Sequence, residues 1–437
     1  MMHIQLAILH AQNTFNNGSF MMLINFLWYY VRHTPPDTRI TFWIELDGDE
    51  NHQRIMRAMP GELHSGGQIA IRRLPFSITS PDHATVVRKL FRLYAKFYRH
   101  PRKFKALGID TVVILGGDDL SESYKKWLIV SDLYRIYRYS GSFTTILAGQ
   151  TIGPFQGFRK RMAGKCLSKT VIFSRDELTA VYLAESLHMP GDRIRRSADL
   201  SFPELPVPDG EGSAADGTPA NGSAADGRGL IRGEYITLVP GGHVSLYTKD
   251  KSAYIRSWVH LVRDLLGSGA HLSKKIVFLP HVTRPEDDRE IIHLIVDSLS
   301  GERGASDRFS IFETELLPHQ LRQVLGSGYL TITSRMHAAL SAFQRKKPAI
   351  ALAHSMKYDG VIGYSVRCPE LVVHCSEDLM REPVRFSRSV QRKISYVDQH
   401  YEQIQRHLEA RIPELQVLAE DQIRYIAGMA EDSLKRG

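Results

Sequence analysis

The sequence predicts an α/β fold made of two facing, Rossmann-like, doubly wound domains. Two patterns predict it. Short apolar runs alternate with amphipathic helical patterns in both halves of the chain, which is typical of parallel strands joined by helical crossovers. A stretch rich in Gly, Ala, Ser, Asp and Pro separates the halves. The chain has 437 residues, of which 43% are hydrophobic, so it can bury a core in each of two domains.

The apolar runs give the predicted strands, because parallel strands buried on both faces read as continuous apolar segments. In the first half the runs are 4–9, 40–44, 111–115, 144–148 and 171–173, and in the second half 235–239, 275–279, 330–333 and 349–353. Ligands of doubly wound domains lie at the carboxyl ends of the strands, so functional residues are expected there.

The domain boundaries follow from composition. The central stretch contains GSAADG twice, at 212–217 and 222–227, and such residues cannot bury enough apolar area to offset the entropy of ordering. We predict an N-terminal domain at 1–203, a flexible linker at 204–233, a C-terminal domain at 234–385 and C-terminal helices at 386–437. The helical tail either crosses back to brace the first domain or forms a surface helix pair.

Charge and cysteine content narrow the class of protein. The formal net charge of +9 favours anionic partners, whether phosphorylated metabolites, acidic lipids or nucleic acid. Cys166, Cys368 and Cys375 form no CxxC pair, which argues against a disulfide framework and favours a reducing compartment. The histidines lack HxH or HExxH spacing, so no metal site is predicted. No run approaches the roughly 18 apolar residues of a membrane span. We therefore predict a cytoplasmic protein.

The most informative segment joins a strand to a helix at Ser334-Arg335-Met336-His337. Ser334 is predicted to cap the helix, whose free N–H groups would favour an anion. Arg335 offers a planar fork suited to carboxylate or phosphate. His337 lies in the first turn, where it can donate to an anion or transfer a proton. A capped helix with a structural Arg–Asp pair fits the same pattern equally well.

A second strand ends at Gly116-Gly117-Asp118-Asp119. Paired glycines let a backbone approach a ligand closely. The two carboxylates would repel phosphate but accept hydrogen bonds from a sugar hydroxyl. Because Gly-Gly is common at such turns, this pattern alone is a weak signal.

A third strand is followed by Arg175, and Ser174 is predicted to cap the helix after it. A cation at a helix N-terminus is electrostatically unfavourable, so Arg175 is interpreted as serving a ligand. The neighbouring loop 149–155 contains Gly and Pro, which force a tight turn after the strand. The spacing alone favours a plain turn over part of a binding site, but both interpretations stay open.

Three further candidates for anion binding each follow an apolar run: His243, His281 and Lys357. Taken singly, each is more often structural or solvated than part of a binding site.

Residues 86–99 predict an amphipathic helix with aromatic and aliphatic residues on one face and basic residues on the other. One interpretation is a domain helix whose basic face is solvated. The other is a surface that contacts anionic lipid, where a lipid-linked sugar would be found.

The order of these motifs resembles the polysaccharide pyruvyl transferase family from about residue 13 to residue 363. The segments that carry the resemblance are GGDDL, GQTIGPF, SRDEL, FLPHV with Asp287-Asp288, and SRMHAAL followed by PAIAL and Lys357. Asn16-Asn17-Gly18-Ser19 resembles the family's N-terminal Asn/Gly loop. Two departures stand out: Asp118 replaces a third glycine found in many relatives, and the linker is unusually long.

The resemblance implies a GT-B-like fold, phosphoenolpyruvate as donor, a saccharide as acceptor and a pyruvate ketal as product. It says little about the acceptor itself, and a lipid-linked acceptor follows only from the lipid-contacting interpretation of residues 86–99. By position it implies that Arg335, His337 and Arg175 contact phosphoenolpyruvate. We predict catalytic roles for Arg335 and His337, and for Asp119 because a carboxylate near the acceptor could take the proton of a sugar hydroxyl. The motifs and strand ends together predict substrate contacts from Arg175, Ser334, Met336, Lys357, His243, His281, Asn17, Gly116 and Gly117. The resemblance implies neither a cofactor nor a nucleic-acid partner.

Two rival functions remain open at this point. One is a GT-B glycosyltransferase that uses a nucleotide sugar, and the other is a non-catalytic scaffold of a polysaccharide-assembly complex. Protection of the protein by a nucleotide but not by phosphoenolpyruvate would identify the first rival. Binding of neither ligand, together with binding of partner enzymes, would identify the second.

Overall fold

A computed structural model describes residues 2–65, 67–76, 99–122, 128–210, 230–300 and 308–436. The chain divides into two compact units, each with contributions from distant parts of the sequence. The first unit comprises Met1–Thr14, Ser19–Asp209 and Leu415–Gly437, and the second comprises Phe15–Gly18 and Gly210–Glu414.

A seven-stranded sheet forms the centre of the first unit, in the order β3-β2-β1-β4-β5-β6-β7. Every strand pair in it is parallel. The strands are β1 (His3–Leu9), β2 (Arg39–Ile44), β3 (Ile69–Arg73), β4 (Thr111–Leu115), β5 (Thr144–Gln150), β6 (Val171–Ser174) and β7 (Ile194–Arg196). The strand order reverses between β1 and β4, which is where doubly wound folds bind ligands.

A six-stranded parallel sheet forms the centre of the second unit, in the order β10-β9-β8-β11-β12-β13. The strands are β8 (Tyr235–Val239), β9 (Lys275–Phe278), β10 (Phe309–Ile311), β11 (Leu330–Thr333), β12 (Ala349–Ala353) and β13 (Val372–His374). This is the Rossmann order, and it reverses between β8 and β11.

Helices connect the strands in both units, which gives the alternation that the sequence predicts. The α-helices are Asn17–Arg32, Asp49–Ala58, Glu62–Ser65, Leu128–Ser140, Gly157–Leu167, Glu177–Val181, Lys251–Gly267, Asp288–Asp297, Pro318–Ser327, Met336–Gln344, Met356–Tyr358, Glu377–Arg381 and Pro383–Arg436, and residues 99–106 are also helical. Both sheets are covered by apolar side chains. In the first unit, for example, Val112 and Ile114 of β4 are fully buried in one cluster with Leu133 and Ile136.

The nine predicted strands all appear, and within the described ranges four additional strands lie at the edges of the sheets. These edge strands are β3, β7, β10 and β13. The two parallel α/β sheets confirm the predicted fold class.

The segment between the units begins later than its composition predicts. Leu205 is only 8% exposed, and the side chain of Asp209 accepts a hydrogen bond from the Gly61 N–H. The packed first unit therefore extends beyond residue 203, because 204–209 still carries apolar side chains. Residues 211–229, which include both GSAADG repeats, lie outside the described residues.

The tail is one continuous helix, Pro383–Arg436, with a non-helical backbone at His400. Its residues up to Glu414 belong to the second unit and those from Leu415 onward to the first. In the first unit, the Gln422 side chain donates to the Ala198 carbonyl.

Among the described residues, no helix combines the length and apolarity needed to cross a bilayer. The predicted lipid-facing helix lies almost wholly outside the described residues, since 77–98 are not among them.

Candidate active site

The second unit gathers predicted functional residues at the carboxyl edge of its sheet, around the point where the strand order reverses. Gly241 and His243 follow β8, His281 follows β9, Arg335 follows β11 and Lys357 follows β12. The topology therefore brings together residues that are more than a hundred positions apart in the chain.

A buried carboxylate, Asp288, holds this edge together. Its side chain is fully buried and accepts hydrogen bonds from the backbone N–H groups of Gly242, His281 and Val282 at 2.7, 3.1 and 2.9 Å. Arg335 also donates to it, with an N–O distance of 2.5 Å. One carboxylate thus fixes three separate turns relative to one another. Asp288 is not among the predicted site residues.

Arg335 is held in place but keeps donor capacity. Its side chain is 13% exposed, and burial acts to lower its pKa, while Asp288 raises the pKa above its ordinary value. Its Nε is buried and has no hydrogen-bond partner among the described residues. A Cβ built on Gly241 would lie 2.8 Å from this Nε, so the glycine lets the backbone pass close to the guanidinium. The arginine therefore forms a structural pair with Asp288 and retains an unused donor.

Ser334 does not cap the helix Met336–Gln344, which corrects the sequence prediction. The N-cap position is Arg335, and no side chain caps it. The Ser334 hydroxyl instead accepts from the Gly241 N–H at 2.6 Å and lies 3.2 Å from the Val239 carbonyl. The serine is thus used to tie β11 to β8 across the point of reversal.

Three buried tyrosines support the same turn. Tyr247 and Tyr358 each place their hydroxyl 2.8 Å from the Ser334 carbonyl oxygen, and Tyr254 lies 3.3 Å from the serine hydroxyl. Burial raises the pKa of Tyr254 to about 12, so it remains a neutral donor. These contacts fix the backbone that presents Arg335 and Met336, the latter being itself buried.

His281 is a buried, neutral side chain beside Arg335 and His337. Burial lowers its pKa well below the ordinary value of 6.5, and the neighbouring His337 and Arg335 side chains lower it further. Its Nε2 is buried without a hydrogen-bond partner among the described residues. Its carbonyl accepts from the backbone and side-chain N–H groups of Asn17, at 3.2 and 3.0 Å. Asn17 is therefore buried against this turn.

The segment Phe15–Gly18 completes the site of the second unit. Asn16 forms an antiparallel bridge with Val282, and the Phe15 carbonyl accepts from the Thr283 N–H at 3.1 Å. Gly18 lies against the His337 ring: a Cβ at Gly18 would be 2.7 Å from the ring carbon Cγ. An N-terminal segment thus packs directly on the predicted catalytic histidine.

The remaining cationic candidates lie at the same edge. His243 pairs with Glu286 through Nδ1, and burial followed by the charge of Arg335 lowers its pKa. Lys357 contributes to that lowering, which places its charge near His243. The structure therefore brings His243, His281, Arg335, His337 and Lys357 into one neighbourhood.

In the first unit, Gly116 and Gly117 follow β4 as predicted, but their immediate contacts are structural. A Cβ on Gly116 would lie 2.9 Å from the Ala148 carbonyl oxygen, and the Gly117 carbonyl accepts from the Thr151 N–H at 3.0 Å. Gly116 thus permits close approach of β5. Asp119 is 62% exposed and lies 3.4 Å from His10.

Arg175 has a local role that the sequence does not reveal. It is 1% exposed, pairs with Asp199 at 2.8 Å and donates to Thr151 at 2.8 Å. Burial acts to lower its pKa, but Asp199, Asp118 and Asp176 raise it above the ordinary value. Ser174 ends β6 and is not a cap, because Asp176 caps the helix Glu177–Val181 by accepting from the Thr179 N–H. A role of Arg175 toward a ligand stays a prediction.

Within the described part of the chain, no group of three or more His, Cys, Asp or Glu side chains is arranged to hold a metal ion. The basic side chains gathered at the second unit's site are an arginine, a lysine and three histidines.

Comparison with solved structures gives the fold. UDP-GlcNAc 2-epimerase from Neisseria meningitidis, solved with UDP-GlcNAc, has a TM-score of 0.57 at 10% identity, over 97% of this chain and 98% of that one. A putative UDP-N-acetylglucosamine 2-epimerase from Listeria monocytogenes has a TM-score of 0.60 at 12% identity, over 97% and 95%. Sucrose-phosphate synthase from Thermosynechococcus elongatus has a TM-score of 0.54 at 12% identity, with full coverage of both chains (100% and 100%). These similarities show the GT-B-like fold.

Comparison of sequences gives one family. The family model described as polysaccharide pyruvyl transferase matches residues 71–356. No curated protein matches the sequence.

Proposed function

The chain belongs to the polysaccharide pyruvyl transferase family, a family of transferases, and we propose that it moves pyruvate from phosphoenolpyruvate onto a saccharide as a ketal. We place the reaction in exopolysaccharide or cell-envelope polysaccharide biosynthesis. The acceptor includes lipid-linked saccharides met at an anionic, cytoplasmic membrane face.

One observation carries the proposal: a buried guanidinium with an unused donor lies beside a buried, unpartnered imidazole nitrogen. These are Arg335 Nε and His281 Nε2. Buried polar atoms without partners are costly, so such a pair is typical of a site that is completed by its ligand. Phosphoenolpyruvate carries a carboxylate and a phosphate, and both are acceptors for guanidinium N–H groups.

The proposed chemistry follows from the donor. Protonation of C3 of phosphoenolpyruvate makes C2 electrophilic, and a saccharide hydroxyl attacks C2 to form the first C–O bond. A second hydroxyl then attacks C2, the C–O bond to phosphate breaks, and the ketal closes with release of inorganic phosphate. His337 is the candidate that donates the proton to C3 or to the departing phosphate. Asp119 is the candidate that takes the proton of an attacking hydroxyl.

Binding of phosphoenolpyruvate, measured by calorimetry, tests the proposal. Loss of a charge-assisted contact costs about 1.5–3 kcal/mol, so Arg335→Ala should weaken binding by about ten- to a hundredfold. Arg335→Lys keeps a cation for Asp288 but removes the planar fork, and it should weaken binding while preserving the fold. Arg256→Ala is the matched control, since Arg256 is an exposed arginine (58%) of the same unit.

Turnover separates the roles of the two residues. His337→Ala should reduce phosphate release by about 10²–10⁴-fold while changing phosphoenolpyruvate affinity little, if the histidine transfers a proton. Failure of the wild-type protein to bind millimolar phosphoenolpyruvate, or equal binding by Arg335→Lys, would refute the proposal.

A second candidate is a glycosyltransferase that uses a nucleotide sugar, and it is favoured by the fold shared with the Neisseria epimerase solved with UDP-GlcNAc. Thermal protection by UDP-GlcNAc in the absence of any protection by phosphoenolpyruvate would support it. A non-catalytic scaffold would be protected by neither.

A further inference from the structure

The first unit contains a polar cluster in which the candidate residue Asp119 is joined by residues outside the candidate active site. We define the His10 cluster as His10, Glu45, Asp119 and Arg135. It lies at the carboxyl edge of the seven-stranded sheet: His10 directly follows β1 and Asp119 lies in the turn after β4. These are the two strands between which the strand order reverses, where doubly wound folds bind ligands.

Hydrogen bonds fix the position of His10. The backbone N–H of His10 donates to Glu45 Oε2 at 3.0 Å, and its φ of 62° is unusual for a residue with a side chain. Arg135, which is buried and paired with Asp132 at 3.1 Å, donates to His10 Nε2 at 2.8 Å. A left-handed backbone at a position so tightly bonded indicates that the ring orientation is imposed by its surroundings.

The contact with Arg135 also sets the tautomer of His10. A guanidinium only donates hydrogen bonds, so Nε2 must accept and the ring proton must lie on Nδ1. Nδ1 is 3.4 Å from Asp119 Oδ2. The Nδ1–H group therefore faces an exposed carboxylate, and the buried arginine holds it in that orientation.

The cluster contains both a donor and an acceptor that form no hydrogen bond within the described residues. Arg135 Nε is a buried donor and Glu45 Oε1 is a buried acceptor, and neither has a hydrogen-bond partner among the described residues. Asp119 adds an exposed carboxylate, 62% accessible. An anion could satisfy only the donor and a cation only the acceptors. A hydroxyl group donates and accepts at once, so it suits this mixture.

We propose that the His10 cluster is a hydroxyl-binding subsite for a saccharide, in which Asp119 accepts the hydrogen bond of a sugar hydroxyl and His10 positions Asp119. The subsite rests on the proposed function, because it assigns the binding of that function's saccharide acceptor to specific residues. Arg135 acts through His10 by fixing its tautomer.

Saturation-transfer NMR with methyl β-D-glucopyranoside, galactopyranoside and mannopyranoside at millimolar concentration tests the subsite. We expect at least one of the three to bind the wild-type protein. Asp119→Asn should raise its dissociation constant by about tenfold, the effect of losing one charge-assisted hydrogen bond. Asp192→Asn is the matched control, because Asp192 is an exposed carboxylate (76%) of the same unit. It should bind like the wild type.

Two variants of His10 separate positioning from packing. His10→Gly removes the ring and suits the left-handed backbone, so it should fold and bind the sugar as weakly as Asp119→Asn. His10→Asn also tolerates this backbone and places an amide N–H near the position of Nδ1, so it should recover much of the affinity. Equal melting temperatures of the two variants would show that the difference in binding does not arise from unfolding.

The tautomer has its own readout. ¹⁵N chemical shifts of the imidazole nitrogens, assigned by comparison with His10→Asn, should show the proton of His10 on Nδ1. A proton on Nε2 would overturn the proposal.

The outcomes of the sugar-binding experiment can be distinguished from those of the phosphoenolpyruvate-binding experiment. Binding of none of the three sugars would show that the cluster holds ordered water only and would overturn the subsite. So would a sugar affinity that is unchanged in Asp119→Asn. Sugar binding that depends on Asp119 and His10 in a protein that does not bind phosphoenolpyruvate would support the subsite while refuting the donor.

Discussion

Replacing Gly18 by alanine should displace His337. Gly18 is the second residue of the helix Asn17–Arg32 and belongs to the second unit. Its φ lies outside the left-handed region, so alanine can adopt the backbone without strain. Alanine is also a better helix former than glycine by up to about 1 kcal/mol. Any loss of function in Gly18→Ala must therefore come from the added methyl group.

The size of the displacement follows from the distances. The new Cβ would lie closest to the ring nitrogen Nδ1 of His337, nearer than the 2.7 Å to Cγ and the 3.0 Å to Cβ, whereas ordinary contacts begin at 3.4 Å. The imidazole must therefore move by up to about 1 Å, and a misplacement of that size can lower a catalysed rate by about 10²-fold. Arg335 has its own support from Asp288, so phosphoenolpyruvate affinity should change much less than turnover.

Phosphate release from phosphoenolpyruvate with a panel of saccharides measures turnover, and calorimetry measures donor affinity. Gly267→Ala is the control, because a Cβ there meets nothing within 4 Å and the residue lies in the same unit. Displacement can be observed without activity, as a changed ¹⁵N chemical shift of the His337 ring in Gly18→Ala.

Wild-type turnover in Gly18→Ala, with an unchanged His337 spectrum, would refute the reasoning. A parallel loss of turnover, donor affinity and melting temperature would refute it as well, since the methyl group would then disturb the fold rather than the histidine.

Three further predictions concern stability. Asp288→Ala removes the acceptor of four hydrogen bonds and leaves Arg335 without its carboxylate. It should therefore lower the free energy of unfolding, measured by urea titration, by about 3–5 kcal/mol. Asp297 is exposed at the end of the same helix, so the control variant Asp297→Ala should change the free energy of unfolding little. Burial lowers the pKa of His281 in the folded protein, so below about pH 6.5 the unfolded chain binds a proton more readily than the folded one. The free energy of unfolding should therefore fall as the pH drops through that value. A His281→Gln variant whose free energy of unfolding falls as steeply would contradict this. Deleting 212–227 should leave the melting temperature nearly unchanged, because each doubling of a flexible loop costs only ~0.6 kcal/mol, and a large drop would show that the segment is packed.

The sequence predicts the inner strands of both sheets but none of the edges. Inner strands are buried on both faces and therefore read as apolar runs, as in β4 and β8, which are buried along their whole length. The edge strands are short and carry polar residues: β7 is Ile-Arg-Arg and β3 ends in two arginines. Edges are partly exposed, so no apolar pattern marks them.

The candidate site also contains some residues whose position the sequence predicts and others whose position it does not. The position of Arg335 and His337 at the sheet edge could be predicted because they lie within four residues of the end of a strand, and the topology of parallel sheets places such residues at one edge. Their roles toward a ligand stay predictions. Asp288 could not be assigned a role, since its importance comes from burial and from four partners brought together only by folding. The signal that was present is the Asp-Asp pair that begins a helix soon after β9. Likewise, no local pattern shows that Arg175 pairs with Asp199.

The division of the chain between the units sets an order for folding during synthesis. The first unit lacks Leu415–Gly437 until the ribosome has passed the whole of the second unit, whereas the second unit is complete once Glu414 has emerged. Domains usually fold in the order of their synthesis. Here the unit whose sheet is made first must wait for a late segment, which supplies the fully buried Ile423, Ile426 and Ala427. The nascent first unit therefore keeps an apolar surface uncovered while the second is translated.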